Sequence, residues 1–183
     1  MNFMSKIYTS AVVIIPPESL WAPIQEIRTK YDRQINRWMP HINLLYPFKH
    51  FNEFSNLEKE FSIICKQIVS FEISLKIFNY FHHGHQNYTI WLKPEPSELI
   101  LKLQEKLLKI VPDCNDVNKH KNGFTPHLSV GQIKGKNKLI STLKNLQNQW
   151  EELKFVLNSI YFIFREKKKP SKFYIEKEIV LQL

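Results

Sequence analysis

The sequence predicts an α+β fold of two lobes, each built from a β-α-β-α-β unit, related by pseudo-twofold symmetry around a central cleft. Three observations predict it. Apolar patterning alternates along the chain between the strand period of two and the helical period. The resulting order of strands and helices occurs twice. And Met39-Pro-His-Ile-Asn-Leu44 is mirrored, nearly half a chain later, by Thr125-Pro-His-Leu-Ser-Val130.

Alternating and buried apolar runs place strands at about 6–16, 41–48, 70–81, 87–93, 127–133, 154–165 and 172–182. A first helix starts at Ser19, with Pro23 in its first turn, where a missing N–H costs nothing. The second runs from Phe54 to Val69 on a stripe of Phe54, Leu57, Phe61, Ile64 and Ile68. The third spans Ser97 to Val111, with Ser97 as its cap and Leu99, Ile100, Leu103, Leu107 and Ile110 on one side. The fourth spans Asn137 to Leu153, with Leu139, Leu143, Leu146 and Trp150 aligned. Looser matches support the duplication: Tyr8-Thr9 with Tyr88-Thr89, Pro17-Glu-Ser-Leu20 with Pro96-Ser-Glu-Leu99, and Gln25-Glu26 with Gln104-Glu105. No linker rich in Pro, Gly or Ser separates the halves. One domain is expected over 1–183, with lobes of approximately 1–85 and 86–183 and room for strand exchange between them.

Composition narrows the class. With 43% hydrophobic and 23% charged residues, the chain is not disordered, and four glycines exclude a collagen-like one. No apolar run reaches transmembrane length, and Met1–Ile15 lacks the features of a secretory signal. Cys65 and Cys114 are too few for a disulfide framework or a four-ligand zinc site. The expectation is a reduced, intracellular setting, cytoplasmic or nuclear, with no membrane partner and a monomeric state. The formal charge of +9 suits phosphate-bearing partners, although the basic residues are scattered apart from Arg165–Lys169 and Lys134–Lys138.

The two histidine strands carry the chemistry. Side chains alternate between faces of a strand. His41 and Asn43 therefore share one face, and so do His127 and Ser129, with Gly131 following and leaving room for a ligand. Two imidazoles facing one cleft suit phosphodiester chemistry: one, neutral, takes a proton from the attacking oxygen, and the other, protonated, gives one to the departing ribose oxygen. Asn43 and Ser129 can donate hydrogen bonds to the phosphate oxygens. The scheme requires no metal and no other cofactor.

On these residues the chain resembles the two-histidine (2H) phosphoesterase superfamily, which includes 2′-5′ RNA ligase-like proteins and cyclic nucleotide phosphodiesterases. That family carries two His-x-(Thr/Ser) motifs. His127-Leu-Ser129 fits, and His41-Ile-Asn43 departs in having Asn for the hydroxyl residue. Pro40–Phe48 and Gly123–Gln132 look like the branch named RNA ligase/cyclic nucleotide phosphodiesterase. The resemblance implies a bilobal α+β fold and metal-independent hydrolysis of 2′,3′-cyclic phosphates on RNA ends or small nucleotides. It leaves open cleavage of 2′-5′ linkages in oligoadenylate or cyclic dinucleotides, or the reverse ligation. A catalytically silent RNA-binding domain and a metal-dependent hydrolase are the readings outside that chemistry.

Among other residues, Tyr46 and Phe124 are candidates to stack on a base, with Tyr46, Phe48, Phe51, Phe81, Tyr88, Trp91 and Phe124 otherwise expected in packing. Arg165 is a candidate phosphate contact, as are Arg37, Lys49 and Lys167. His82, His83 and His85 read as a polar hairpin turn rather than a metal site. Cys65 reads as core, and Cys114 has no base beside it to make a nucleophile.

Overall fold

The computed structural model describes residues 5–119, 123–168 and 171–182. Among these residues, eight strands and four α-helices follow in the order β1 (Ser10–Ile14), α1 (Trp21–Tyr31), β2 (Ile42–Leu45), α2 (Phe54–Cys65), β3 (Phe71–His82), β4 (Asn87–Glu95), α3 (Ser97–Leu108), β5 (Leu128–Lys134), α4 (Lys136–Gln149), β6 (Leu153–Leu157), β7 (Ser159–Phe164) and β8 (Tyr174–Val180). All eight strands join one sheet in the order β6-β3-β4-β5-β2-β1-β7-β8. Every neighbouring pair is antiparallel. The α+β class is as expected.

One face of the sheet carries the main core. Val12, Ile14, Ile42, Leu44 and Leu45 pack there against Ile24 and Ile27 of α1, Phe54, Leu57 and Phe61 of α2, and Ile100, Leu103 and Leu107 of α3. Burying these side chains is the dominant stabilising term. The opposite face has a smaller cluster of Ala11, Val13, Met39, Ile163 and Phe173.

The internal symmetry extends to single residues. At the middle, β2 meets β5 with Ile42 opposite Leu128. Val13 of β1 pairs with Asn43, and Trp91 of β4 pairs with Ser129. Each of these pairs is followed by a bulge at the same place: Leu44 is the extra residue before Leu45, and Val130 the extra residue before Gly131. Because Val13 corresponds to Trp91, Tyr8-Thr9 correspond to Gln86-Asn87. The match of Tyr8-Thr9 with Tyr88-Thr89 is therefore two residues out of register.

The expected strand over 154–165 is two strands, β6 and β7, broken at Asn158, whose carbonyl accepts from Leu181 N at 2.8 Å. β6 forms one edge of the sheet, whereas β7 lies between β1 and β8 on the far side. A one-residue connection between such distant strands requires the sheet to curl until its two sides meet. A parallel bridge between Val69 and Gln182 ties them again. Apolar periodicity does not register the break, because both halves alternate in the same way.

The helices end earlier than their apolar stripes, at Cys65, Leu108 and Gln149. Ser97 is not a cap. It is the first residue of α3, its N–H donating to Glu95 Oε2 at 2.9 Å and its hydroxyl donating to the Pro94 carbonyl at 2.7 Å. Among the described residues, no helix is long and apolar enough to cross a membrane.

Candidate active site

The register Ile42↔Leu128 decides how the two histidine motifs meet. It places His41 across from Ser129 and Asn43 across from His127, so the motifs interdigitate on one face. Each imidazole is held in the same way. Nδ1–H of His41 donates to the Met39 carbonyl, and that of His127 to the Thr125 carbonyl, both at 2.7 Å. The acceptor in each case is the residue before the proline. Asn43 Nδ2 donates to His41 Nε2 at 3.2 Å, so that Nε2 carries a lone pair and the ring is neutral.

The electrostatics agree. Burial pushes the His41 pKa down to about 4, the Met39 carbonyl opposes this, and the positive charges of Arg28 and His127 add to the lowering, against Asp32. Asn43 Oδ1 and Trp91 Nε1 are buried polar atoms without a hydrogen-bond partner. Such orphans are few in a folded protein, and these two flank the histidine pair.

Aromatic rings buttress both histidines. Trp38 stacks on His41 with centroids 4.5 Å apart and planes 14° apart. Phe173 stacks on Trp38 at 3.8 Å, and the Arg165 guanidinium lies over Phe173 at 5.3 Å. On the other side, Phe81 meets His127 edge-on at 4.9 Å and stacks on Trp91, also at 4.9 Å. The first column is tied to α1. Arg28, 2% exposed, donates through Nη2 to the Trp38 carbonyl at 2.8 Å and through Nε to Asp32 at 2.8 Å.

The structure brings His41, Asn43, His127 and Ser129 together, with Tyr46 beside them. Tyr46 is half-buried, edge-on to Trp38 at 5.4 Å, and donates from its hydroxyl to the Tyr8 carbonyl. Arg165 reaches the same side, donating to Ser171 Oγ and the Tyr8 carbonyl. Phe124 does not stack in the cleft: it is 8% exposed and packs in the main core. Lys49 does not line a phosphate path: it is 1% exposed and paired with Asp113 at 2.7 Å.

Gly131 does not clear space for a ligand. The bulge turns it to the helix face, where an added Cβ would lie 2.3 Å from Tyr31 Cβ. The turn after β3 is a hairpin with Gly84, His85 and Gln86 in the left-handed region. No group of three His, Cys, Asp or Glu among the described residues could hold a metal ion. Cys65 and Cys114 are free, and burial pushes both thiols up to about 12, which leaves no thiolate nucleophile.

Sequence reasoning missed Trp38, Phe173 and Arg28. Trp38 is the one with a local signal, since it lies three residues before His41. Phe173 reaches the site from the far end of the chain, and Arg28 from a helix.

Comparison with solved structures gives the class of fold. The Thermus thermophilus protein TT0787 matches at TM-score 0.64, with 17% identity over 95% of this chain and 98% of that one. E. coli LigT, solved with phosphate, matches at TM-score 0.58, with 14% identity over 98% of this chain and 100% of that one. Another structure of LigT holds 3′-AMP. This is the fold of the two-histidine phosphoesterases. Residues 16–169 match the family model described as the 2′-5′ RNA ligase superfamily, and the chain belongs to that superfamily. Among curated relatives, a Bacillus licheniformis protein and a Geobacillus kaustophilus protein, both carrying phosphoesterase names, are 27% and 28% identical over 122 residues. These matches cover 66% of this chain and 69% and 67% of the relatives. Phosphoester chemistry is accordingly its reaction class.

Proposed function

We propose that the protein is a phosphodiesterase that opens 2′,3′-cyclic phosphate ends, with His41 and His127 as the base and acid. The observation that carries this is the antiparallel meeting of the two motifs, each with its Nδ1–H anchored on a backbone carbonyl at 2.7 Å. That anchor makes Nδ1 the protonated nitrogen that faces the backbone in both rings, so proton transfer in this scheme runs through Nε2.

His41, neutral down to about pH 4, is suited to take the proton from water. Water then attacks phosphorus, and His127 protonates the departing O3′. The P–O3′ bond breaks, leaving a 2′-phosphate and a free 3′-hydroxyl. Asn43 and Ser129 donate to the non-bridging oxygens as negative charge grows there. Both proton transfers are supplied by imidazoles, so the scheme calls for no metal.

The test uses the purified protein in EDTA with an oligonucleotide ending in a 2′,3′-cyclic phosphate, products being read by mass. A 2′-5′-linked dinucleotide runs beside it. The expected result is ring opening to a 2′-phosphate, with His41→Ala and His127→Ala each at least about 10²-fold slower. Cleavage of the 2′-5′ substrate alone would replace the substrate and keep the site. Near-normal turnover by either variant would remove that histidine from the mechanism.

A further inference from the structure

Beyond Ser129, β5 carries Gln132 and Lys134 towards the β3–β4 hairpin. Gln132 pairs across the sheet with Thr89, and Lys134 with Asn87. Thr89 and Trp91 are two apart on β4, so the Thr89–Gln132 pair lies on the same face as the Trp91–Ser129 pair. Two basic side chains are attached to it. His83 Nε2 is 2.9 Å from Thr89 Oγ1. Arg33, just past α1, donates to Gln132 Oε1 from its backbone N–H at 3.1 Å and from Nε at 3.5 Å.

Gln132 Nε2 in turn donates to Asp32 Oδ1 at 3.2 Å. Its amide is thus used at both ends and holds Arg33 over the strand. Asp32 is nearly buried, and its charge is spent on Arg28 Nε, Gln34 N and Gln132. What this corner presents to solvent is the positive charge of Arg33 and Lys134, with the His83 imidazole beside them, all three exposed.

We propose that Arg33, His83 and Lys134, gathered on the Thr89–Gln132 pair, form a second phosphate subsite beside the site of cleavage. The inference rests on the phosphodiester reading above and adds the substrate class: an oligonucleotide end, whose next phosphate occupies this corner. The two cross-strand pairs are separated by two residues of β4, about 6–7 Å, which is the order of one nucleotide step along a strand. The guanidinium suits two-point contact with phosphate oxygens, the ammonium adds charge, and the imidazole adds a hydrogen-bonding group. A mononucleotide leaves the subsite empty.

The test is binding to the His41→Ala/His127→Ala double variant, which cannot turn the probes over. A labelled trinucleotide with a 3′-phosphate and the matching nucleoside 3′-phosphate are titrated in parallel, by anisotropy and by competition. The trinucleotide is expected to bind about tenfold tighter or more, from the added phosphate contacts. Adding Arg33→Ala or His83→Ala should remove most of that advantage and leave the mononucleotide unchanged. Arg33→Ala should also lower the slope of log K against log salt by roughly 0.7. Equal binding of the two probes, or variants that weaken both alike or neither, would overturn the subsite. Wild-type turnover of a 2′,3′-cyclic mononucleotide is measured beside this. Its presence keeps the phosphodiesterase reading whatever the subsite does. Absence of turnover on the mononucleotide and the oligonucleotide alike would overturn that reading and this inference together.

Discussion

His41 owes its proposed role to a contest between two environments. The Met39 carbonyl favours its protonated form, but burial under Trp38, aided by the charges of Arg28 and His127, outweighs it. If His41 is the base, kcat/KM should stay level from pH 6.5 to about 5 and fall towards pH 4. An acid limb centred near 6.5 would assign the base elsewhere. Trp38→Ala tests the cause. Removing the ring admits water to His41, and the acid limb should move up towards 6.5 while the protein stays folded. A limb that does not move would show that Trp38 has no part in the shift. At this scale the sequence was informative about identity and silent about environment. His41, Asn43, His127 and Ser129 were legible from a repeated tripeptide on strands. That Phe124 is core and Lys49 is buried and paired with Asp113 depends on what each packs against. Nothing in their immediate neighbours in the chain encodes that.

The elements carry the site by close packing. α1 lies directly on β5, with Tyr31 against Gly131, and its Arg28 reaches the carbonyl of Trp38. Gly131→Ala places a methyl 2.3 Å from Tyr31 Cβ. It should cost about 1–3 kcal/mol, the usual range for overpacking a fixed contact. Urea midpoints check this, and an unchanged midpoint would mean that α1 shifts freely on the strand. The four helices and most of the strands were legible from periodicity alone. The bulges at Leu44 and Val130 were not, although they determine which way Gly131 points. Nor was the break at Asn158, since a one-residue interruption leaves the apolar alternation on each side intact.

Over the whole molecule, the paired motifs are symmetric and their surroundings are not. On the His41 side the sheet face is filled by Trp38, Phe173 and Arg165. On the His127 side it runs on past Phe81 and Trp91 to the hairpin. The half-buried, desolvated histidine also leaves a signature on global stability. His41 has its folded pKa near 4, below the ordinary 6.5, so the unfolded chain binds more protons between those values. Its contribution is therefore complete above about pH 6.5 and is lost as pH falls towards 4, on the order of 2 kcal/mol. Comparing urea midpoints of wild type and His41→Asn at pH 7 and pH 4.5 isolates it. The wild type should lose more stability on acidification than the variant, and parallel losses would contradict the burial. The sequence by itself determined the class of fold, its duplication and the four residues at its centre, because these depend on local period and on a repeated motif. The tertiary structure alone decided the interdigitated register of the two motifs, the placement of β6 and β7 on opposite sides of the sheet, and the rings and charges around each imidazole. Those follow from pairings between residues far apart in the chain, and no local pattern records which distant partner a strand or ring will meet.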